Sequence, residues 1–278
     1  MANNLVYIVM DSCRFDSYAR ARTPNMDRLG KAERRYSFAS WTSPSHQALL
    51  MGQVPHHSPK RVFSSEVYRD EFAKWVDRVG APNLSFKTFV PHLSLTKVLQ
   101  NLGLRTVARV SMPVLNPMAG FSRFFDDYQL MPDHNDFAGM VRDAALDERT
   151  PSFYFFNLGE THYPYMLKDA ELPRISGVHG VFKGMDDMVE RGGDVLNAQS
   201  KFFTADAMKQ LHDQQVRCVE YVDGLLGDLF DKSPPNTYFI VTADHGELFG
   251  EDDYFGHGPI MHEKCFEVPF LEGLRPSS

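Results

Sequence analysis

Four short apolar runs constrain this chain more than any other feature: Leu5 to Met10, Arg105 to Val110, Phe153 to Leu158 and Tyr238 to Thr242. They are rich in Val, Ile, Phe and Tyr and do not alternate with polar residues. Alternation marks a sheet with one wet face, so these strands read as covered on both faces, the condition of a parallel sheet. Helical patterns lie between them. One covers Ser65 to Val76, and another covers Leu93 to Leu102, stopped by Gly103. The longest is Asp206 to Phe230, with Val219, Val222, Leu226 and Leu229 on one face and Pro234-Pro235 closing it. Strands alternating with helices predict an α/β three-layer sandwich with a mainly parallel central sheet.

At 278 residues the chain suits one large α/β domain, and its 43% hydrophobic residues can fill the core. We therefore expect residues 1–278 to form a single catalytic domain. The net charge of −7 argues against nucleic acid or an anionic membrane as a bulk partner, because both repel an acidic surface. A small anionic ester held by a metal remains open. Cys13, Cys218 and Cys265 are odd in number, far apart and without a C-x-x-C pair, so a reducing compartment is the default. Met1-Ala2-Asn3-Asn4 carries no basic n-region, and no apolar run approaches the ~20 residues of a membrane span. The expected location is the cytoplasm; the oligomeric state is not legible. Residues 168–204, with Gly177, Gly180, Gly184, Gly192 and Gly193, read equally as a loop-rich insertion over the site or as an ordinary surface excursion.

Open α/β sheets bind ligands at the carboxyl ends of their strands. Asp11 follows the first run, Glu160 and His162 follow the third, and Asp244 and His245 follow the last. The segment Ser40-Trp41-Thr42-Ser43-Pro44-Ser45-His46 adds a hydroxyl just before a proline suited to open a helix. Ser43 is the expected N-cap and Ser45 to Met51 the expected helix, whose positive end would face a reacting anion. Asp11, Thr42, Asp244 and His245 can together bind one divalent cation. The mixed oxygen and nitrogen set suits Mn or Zn first, with Mg or Ca as alternatives. A cation lowers the pKa of a bound water from 15.7 to about 7, and an alcohol should respond in the same direction, so Thr42 would be both ligand and nucleophile. On the Thr42 segment alone, a plain Ser/Thr cap is the commoner reading. Candidate groups for the anion are Arg14, His46, His262 and Lys264, with His162 and His257 as proton donors to a leaving oxygen.

These residues fall in blocks that resemble the sulfatase-like branch of the alkaline phosphatase superfamily. Val6 to Asp16 is similar to its N-terminal strand and metal loop, and Thr23-Pro24-Asn25-Met26-Asp27-Arg28-Leu29 to the helix that follows. Thr42-Ser43-Pro44-Ser45-His46 through Leu49-Leu50-Met51-Gly52 resembles the nucleophile motif C/S-x-P-S-R with its trailing A-L-L-T-G. Asn157 to Tyr165 resembles the H-x-P-Y loop, Thr242 to Glu247 the T-S-D-H-G-E block, and His257-Gly258 to Val268-Pro269-Phe270 the closing block. The resemblance spans the chain and implies an alkaline-phosphatase-like fold. The chain ends soon after Phe270, where sulfatases continue into a smaller subdomain, so a minimal core is expected.

The departures bear on chemistry. Sulfatases oxidise Cys or Ser at the nucleophile position to formylglycine, but the Cβ of Thr42 carries a methyl and could only give a ketone. Thr here resembles the phosphodiesterases, phosphoethanolamine transferases and lipoteichoic-acid-synthase-like members. The motif's Arg is His46, and the second Asp of the family's D-D pair is Ser12. What remains is a single-metal set, with a second ion on His162 and His257, joined by Glu160, as a further option. The resemblance implies a phosphoester or phosphonate-ester hydrolase or phosphotransferase working through a phospho-threonine. The alternatives are a sulfate-ester hydrolase without formylglycine and a catalytically silent anion-binding relative.

Overall fold

A computed structural model describes residues 3–57, 62, 64–82, 84–85, 94–165, 172, 180–182, 204–258 and 260–277. The expected loop-rich stretch 168–204 lies outside these, except for Leu172, the strand Gly180–Phe182 and Thr204. The segment from Val54 to Phe89 is described only in part.

The central sheet has seven strands in the order β2-β10-β7-β1-β5-β3-β4. These are β1 (Asn4–Met10), β2 (Glu33–Tyr36), β3 (Arg105–Val110), β4 (Asp127–Leu130), β5 (Ser152–Leu158), β7 (Thr237–Thr242) and β10 (Glu267–Leu274). The four apolar runs are β1, β3, β5 and β7, and they pair side by side in parallel. β4 adds a further parallel edge, whereas β10 runs antiparallel to both β7 and β2. A second, three-stranded sheet pairs β6 (Gly180–Phe182), β9 (Tyr254–Gly256) and β8 (Leu248–Phe249).

The non-alternating pattern has the physical cause inferred from it. All seven residues of β1 are buried. Leu5, Tyr7 and Val9 point into one core, and Val6, Ile8 and Met10 into the other. The first core is closed by α2 (Thr42–Leu50), α3 (Ser64–Ala73), α4 (Trp75–Val79) and α5 (Leu95–Asn101), through Leu49, Leu50, Phe72, Trp75, Val79, Leu95, Val98 and Leu99. The second is closed by α6 (Phe137–Asp143) and by α7 (Ala205–Lys232), whose Val219, Val222, Leu226 and Leu229 are all buried there. A short helix, α1 (Phe15–Arg20), follows β1. Each large apolar side chain so buried contributes about 1.5–3 kcal/mol.

Two helices differ from expectation. The pattern Ser65 to Val76 is interrupted at Lys74, giving α3 and α4 instead of one helix. α2 begins at Thr42, earlier than predicted, and the preceding Trp41 supplies no side-chain cap. Ser43 is therefore inside the helix and Pro44 is its third residue. This is tolerated because the first four N–H groups of a helix have no intrahelical partner, so the missing proline donor costs no bond. The consequence for the site is direct: Thr42 occupies the first position of α2, at the positive end of the helix.

Candidate metal centre and nucleophile

Three strand ends and one helix start meet at a single buried point. Asp11 follows β1, Asp244 follows β7, the loop after β5 passes beside them, and Thr42 opens α2. Asp11, Thr42, Asp244 and His245 are at most 5% exposed. The chain after β1 turns sharply, with Ser12 at φ 61°, a left-handed conformation that costs a non-glycine residue energy. That turn aims the Ser12 N–H at Asp244 Oδ1, 3.2 Å away.

Each of these groups turns one atom toward the cluster, and that of Asp244 has no hydrogen-bond partner. Asp244 Oδ1 accepts from the N–H of Ser12 and of His245, while Oδ2 is buried and accepts no hydrogen bond. Asp11 Oδ2 accepts from Asn157 Nδ2 at 2.9 Å, and Oδ1 accepts from Ser12 Oγ at 3.3 Å and lies 3.7 Å from His245 Nε2. His245 Nδ1 donates to Gly246 O at 2.8 Å, so Nε2 carries the lone pair. That Nε2 lies 3.3 Å from Thr42 Oγ1 and 3.4 Å from Asp244 Oδ2. Ligands about 2.1 Å from a tetrahedral cation sit about 3.4 Å apart, and the separations of 3.3, 3.4 and 3.7 Å from His245 Nε2 suit such an ion. The donor chemistry fits as well: two carboxylate oxygens, one imidazole nitrogen and one hydroxyl. The ligating atoms of Asp11, His46 and Asp244 also lie within 4.8 Å of one another, the one such group among the described residues.

Without a cation this is an electrostatically costly arrangement. Burial, with Asp11 adding to it, holds the Asp244 carboxyl well above the usual carboxylate range. Burial lowers His245 to about 4, lowers His46, and raises Glu247 to about 8 and Glu160 to about 7. The raised carboxyls stabilise the metal-free fold fully below their unfolded pKa, and that contribution is lost as pH rises through the folded values. The depressed His245 contributes above its unfolded value of 6.5 and loses that contribution as pH falls toward 4. Above pH 6.5 only the carboxyl slope remains. The Tm of metal-free protein is therefore expected to fall from about pH 6.5 to about pH 8. The gain on adding zinc should grow over the same interval, because the cation takes the place of the Asp244 proton. A thermal-shift series showing the metal-free Tm climbing over that window would contradict the assignment.

Around this point the structure gathers some of the expected residues and not others. His257 follows β9; its ring lies 4.4 Å from that of His245 and 5.0 Å from that of His162. His257 Nδ1 is 3.2 Å from Glu247 Oε2, and Tyr165 Oη donates to the other oxygen of Glu247. His162 Nδ1 donates to Tyr163 O at 2.6 Å, and its buried Nε2 has no hydrogen-bond partner. Glu160 is turned away: its Oε1 accepts from Phe137 N at the start of α6. Arg14 is held by Asp16, Glu251 and the Glu247 carbonyl. Lys264 pairs with Glu267, and His262 accepts from Lys264 N while its Nε2 lies 3.7 Å from Asp252. Arg14, Lys264 and His262 are thus engaged with carboxylates outside the four-atom cluster. Cys13, Cys218 and Cys265 are buried free thiols.

Two supporting residues were not among the candidates. Gln215 in α7 donates to the carbonyls of Ser12 and Thr161 and accepts from Arg14 N, which fixes both loops. Asn157 lies inside the third apolar run. A fully buried amide in such a strand must find partners, and that is the signal a sequence reading could have used.

The family model for sulfatases matches residues 3–272, and the chain belongs to that family. The C-terminal periplasmic domain of EcEptC from Escherichia coli, in complex with Zn, is similar at a TM-score of 0.57 and 15% identity, over 99% of this chain and 73% of that one. The corresponding domain of phosphoethanolamine transferase EptC from Campylobacter jejuni aligns at 0.54 and 15%, over 97% and 78%. BT1596, a 2-O GAG sulfatase, aligns at 0.59 and 14%, over 100% and 66%. At these identities the likeness shows the shared fold. No curated protein matches the chain in sequence.

Proposed function

We propose that the chain is a metal-dependent phosphoester or phosphonate-ester hydrolase, or phosphotransferase, that works through a phospho-threonine on Thr42. The observation that carries this reading is Thr42 Oγ1 at the start of α2, 3.3 Å from His245 Nε2 and beside two buried carboxylates. Asp11, Asp244, His245 and Thr42 would hold the ion, zinc or manganese by donor type. A bound divalent cation supplies Lewis acidity that makes an alcohol oxygen nucleophilic near neutral pH.

The residues then have distinct tasks. Thr42 loses its hydroxyl proton to solvent, its Oγ1 attacks phosphorus, the P–O bond to the leaving alcohol breaks, and that bond's electron pair stays on the leaving oxygen. His257 or His162 delivers a proton there. Water or an acceptor alcohol next attacks phosphorus and Thr42 departs. The positive end of α2 favours the anionic substrate. Incubation with bis-p-nitrophenyl phosphate tests the reading, which requires metal-dependent p-nitrophenol release that EDTA removes. No release from metal-replete protein would count against it.

A sulfate-ester hydrolase using Thr42 directly is the second reading. It is favoured by the family match and by structural neighbours such as BT4656, solved in complex with D-glucosamine-2-N,6-O-disulfate. Rates on matched phosphate and sulfate esters separate the two.

His257→Ala tests the proton donor. A good leaving group needs little help, so the variant is expected to slow poor leaving groups by about 10²–10⁴-fold and p-nitrophenyl esters much less. An equal loss on both series would remove His257 from acid catalysis.

A further inference from the structure

Asn157 sits at the carboxyl end of β5 and is fully buried. Its Oδ1 accepts two backbone N–H groups, from Ser111 at 3.2 Å and Met112 at 3.1 Å. Those two donors fix which end of the amide is which, so the Nδ2 group points the other way. There it meets Asp11 Oδ2 at 2.9 Å and His46 Nε2 at 3.3 Å. A donor facing His46 Nε2 requires that nitrogen to be bare. The ring proton must then lie on Nδ1, which faces two acceptors, Thr42 O at 2.9 Å and Asp244 Oδ2 at 3.4 Å. The opposite tautomer would set N–H against N–H on one side and lone pair against two oxygens on the other.

We propose that Asn157 is the positioning residue of the centre, holding His46 as a non-ligating Nδ1–H imidazole and turning Asp11 so that only Oδ1 faces the cation. His46 lies close enough to Asp11 and Asp244 to be mistaken for a ligand, but both of its nitrogens are already committed. The amide joins three parts of the fold. Its carbonyl is anchored to the residues after β3, one N–H holds the strand-end ligand Asp11, and the other holds the helix that carries Thr42. His46 sits one turn along α2 from Thr42 and bonds its carbonyl, so the link ends at the nucleophile. Partners that orient ligands in this way typically govern metal affinity or activity by about 10–100-fold. The part of this inference that concerns the cation rests on the metal reading above.

The test begins with wild-type protein labelled with ¹⁵N-histidine, its ring signals assigned with His46→Gln and His245→Gln. Long-range ¹H–¹⁵N spectra are expected to show His46 as the Nδ1–H tautomer with and without zinc, while the Nε2 signal of His245 moves on zinc addition. An Nε2–H tautomer at His46, or a His46 Nε2 signal that moves with zinc as His245 does, overturns the proposal. Asn157→Ala is expected to weaken zinc binding about 10–100-fold in a chelator competition. A lowered Tm in EDTA with unchanged zinc affinity would mark a merely structural residue and likewise overturn it. If that variant does not fold, the wild-type tautomer decides alone. Wild-type protein that takes up no zinc contradicts the metal reading; the zinc-free tautomer then still supports or overturns the Asn157–His46 pair.

Discussion

Replacing Thr42 with alanine is expected to lower turnover of an activated phosphodiester by about 10⁴-fold or more, as removal of a nucleophile does when the rest of the machinery stays in place. The fold should survive. Thr42 offers no capping side chain that the helix depends on, since α2 is entered from Trp41 without a side-chain cap. Its Oγ1 makes one bond, to His245 Nε2. Three of the four metal-facing atoms remain in Thr42→Ala, so metal content should fall less than activity. A variant that keeps its zinc and loses its turnover separates the nucleophile from the ligands. Unchanged turnover would remove Thr42 from the mechanism.

Asp244→Asn is expected to have the second largest effect, with opposite signs on binding and on stability. The amide oxygen can still accept from Ser12 N and His245 N, so the turn after β7 keeps its bonds. The atom that lacks a hydrogen bond, Oδ2, becomes an NH₂ beside the bare Nε2 of His245. Metal binding and activity should be lost together. In wild type, zinc at about 100 times its Kd adds about 2.7 kcal/mol of stability, and the variant should gain none of it. The metal-free variant, by contrast, no longer has to keep a buried carboxyl protonated beside Asp11 at a pH where it ionises in the unfolded chain. Its Tm in EDTA should exceed that of wild type, by about 2–4 °C for each kcal/mol relieved. A variant that still binds zinc as wild type does would show the ligand assignment to be wrong.

The sequence showed the strands that are apolar throughout better than those of mixed composition. β1, β3, β5 and β7 are buried on both faces, and burial writes itself into a strand as an unbroken apolar run. β2 and β10 were missed because they mix charge, proline and glycine with their apolar residues, as in Glu33-Arg34-Arg35-Tyr36 and in β10 with Pro269, Glu272 and Gly273. The structure brings Asp11, Thr42, Asp244 and His245 together, and each lies at a strand end or helix start that the patterns locate. The pairings of Arg14, His262 and Lys264 were not legible, because their carboxylate partners Glu251, Asp252 and Glu267 carry no pattern that tells a pairing site from a solvated charge. Asn157 and Gln215 were hidden for a related reason. Their function is to hold loops distant in sequence, and only the folded chain reveals which loops those are.

The central claim is that Thr42 becomes covalently phosphorylated during turnover. The most direct test is intact-protein mass spectrometry of zinc-loaded protein, quenched rapidly after mixing with bis-p-nitrophenyl phosphate, with the adduct located by peptide mapping. The account predicts a p-nitrophenylphosphoryl group on Thr42, formed with a burst of p-nitrophenol and absent from both Thr42→Ala and EDTA-treated protein. Steady p-nitrophenol release that persists in Thr42→Ala, or an adduct on another residue, would contradict it.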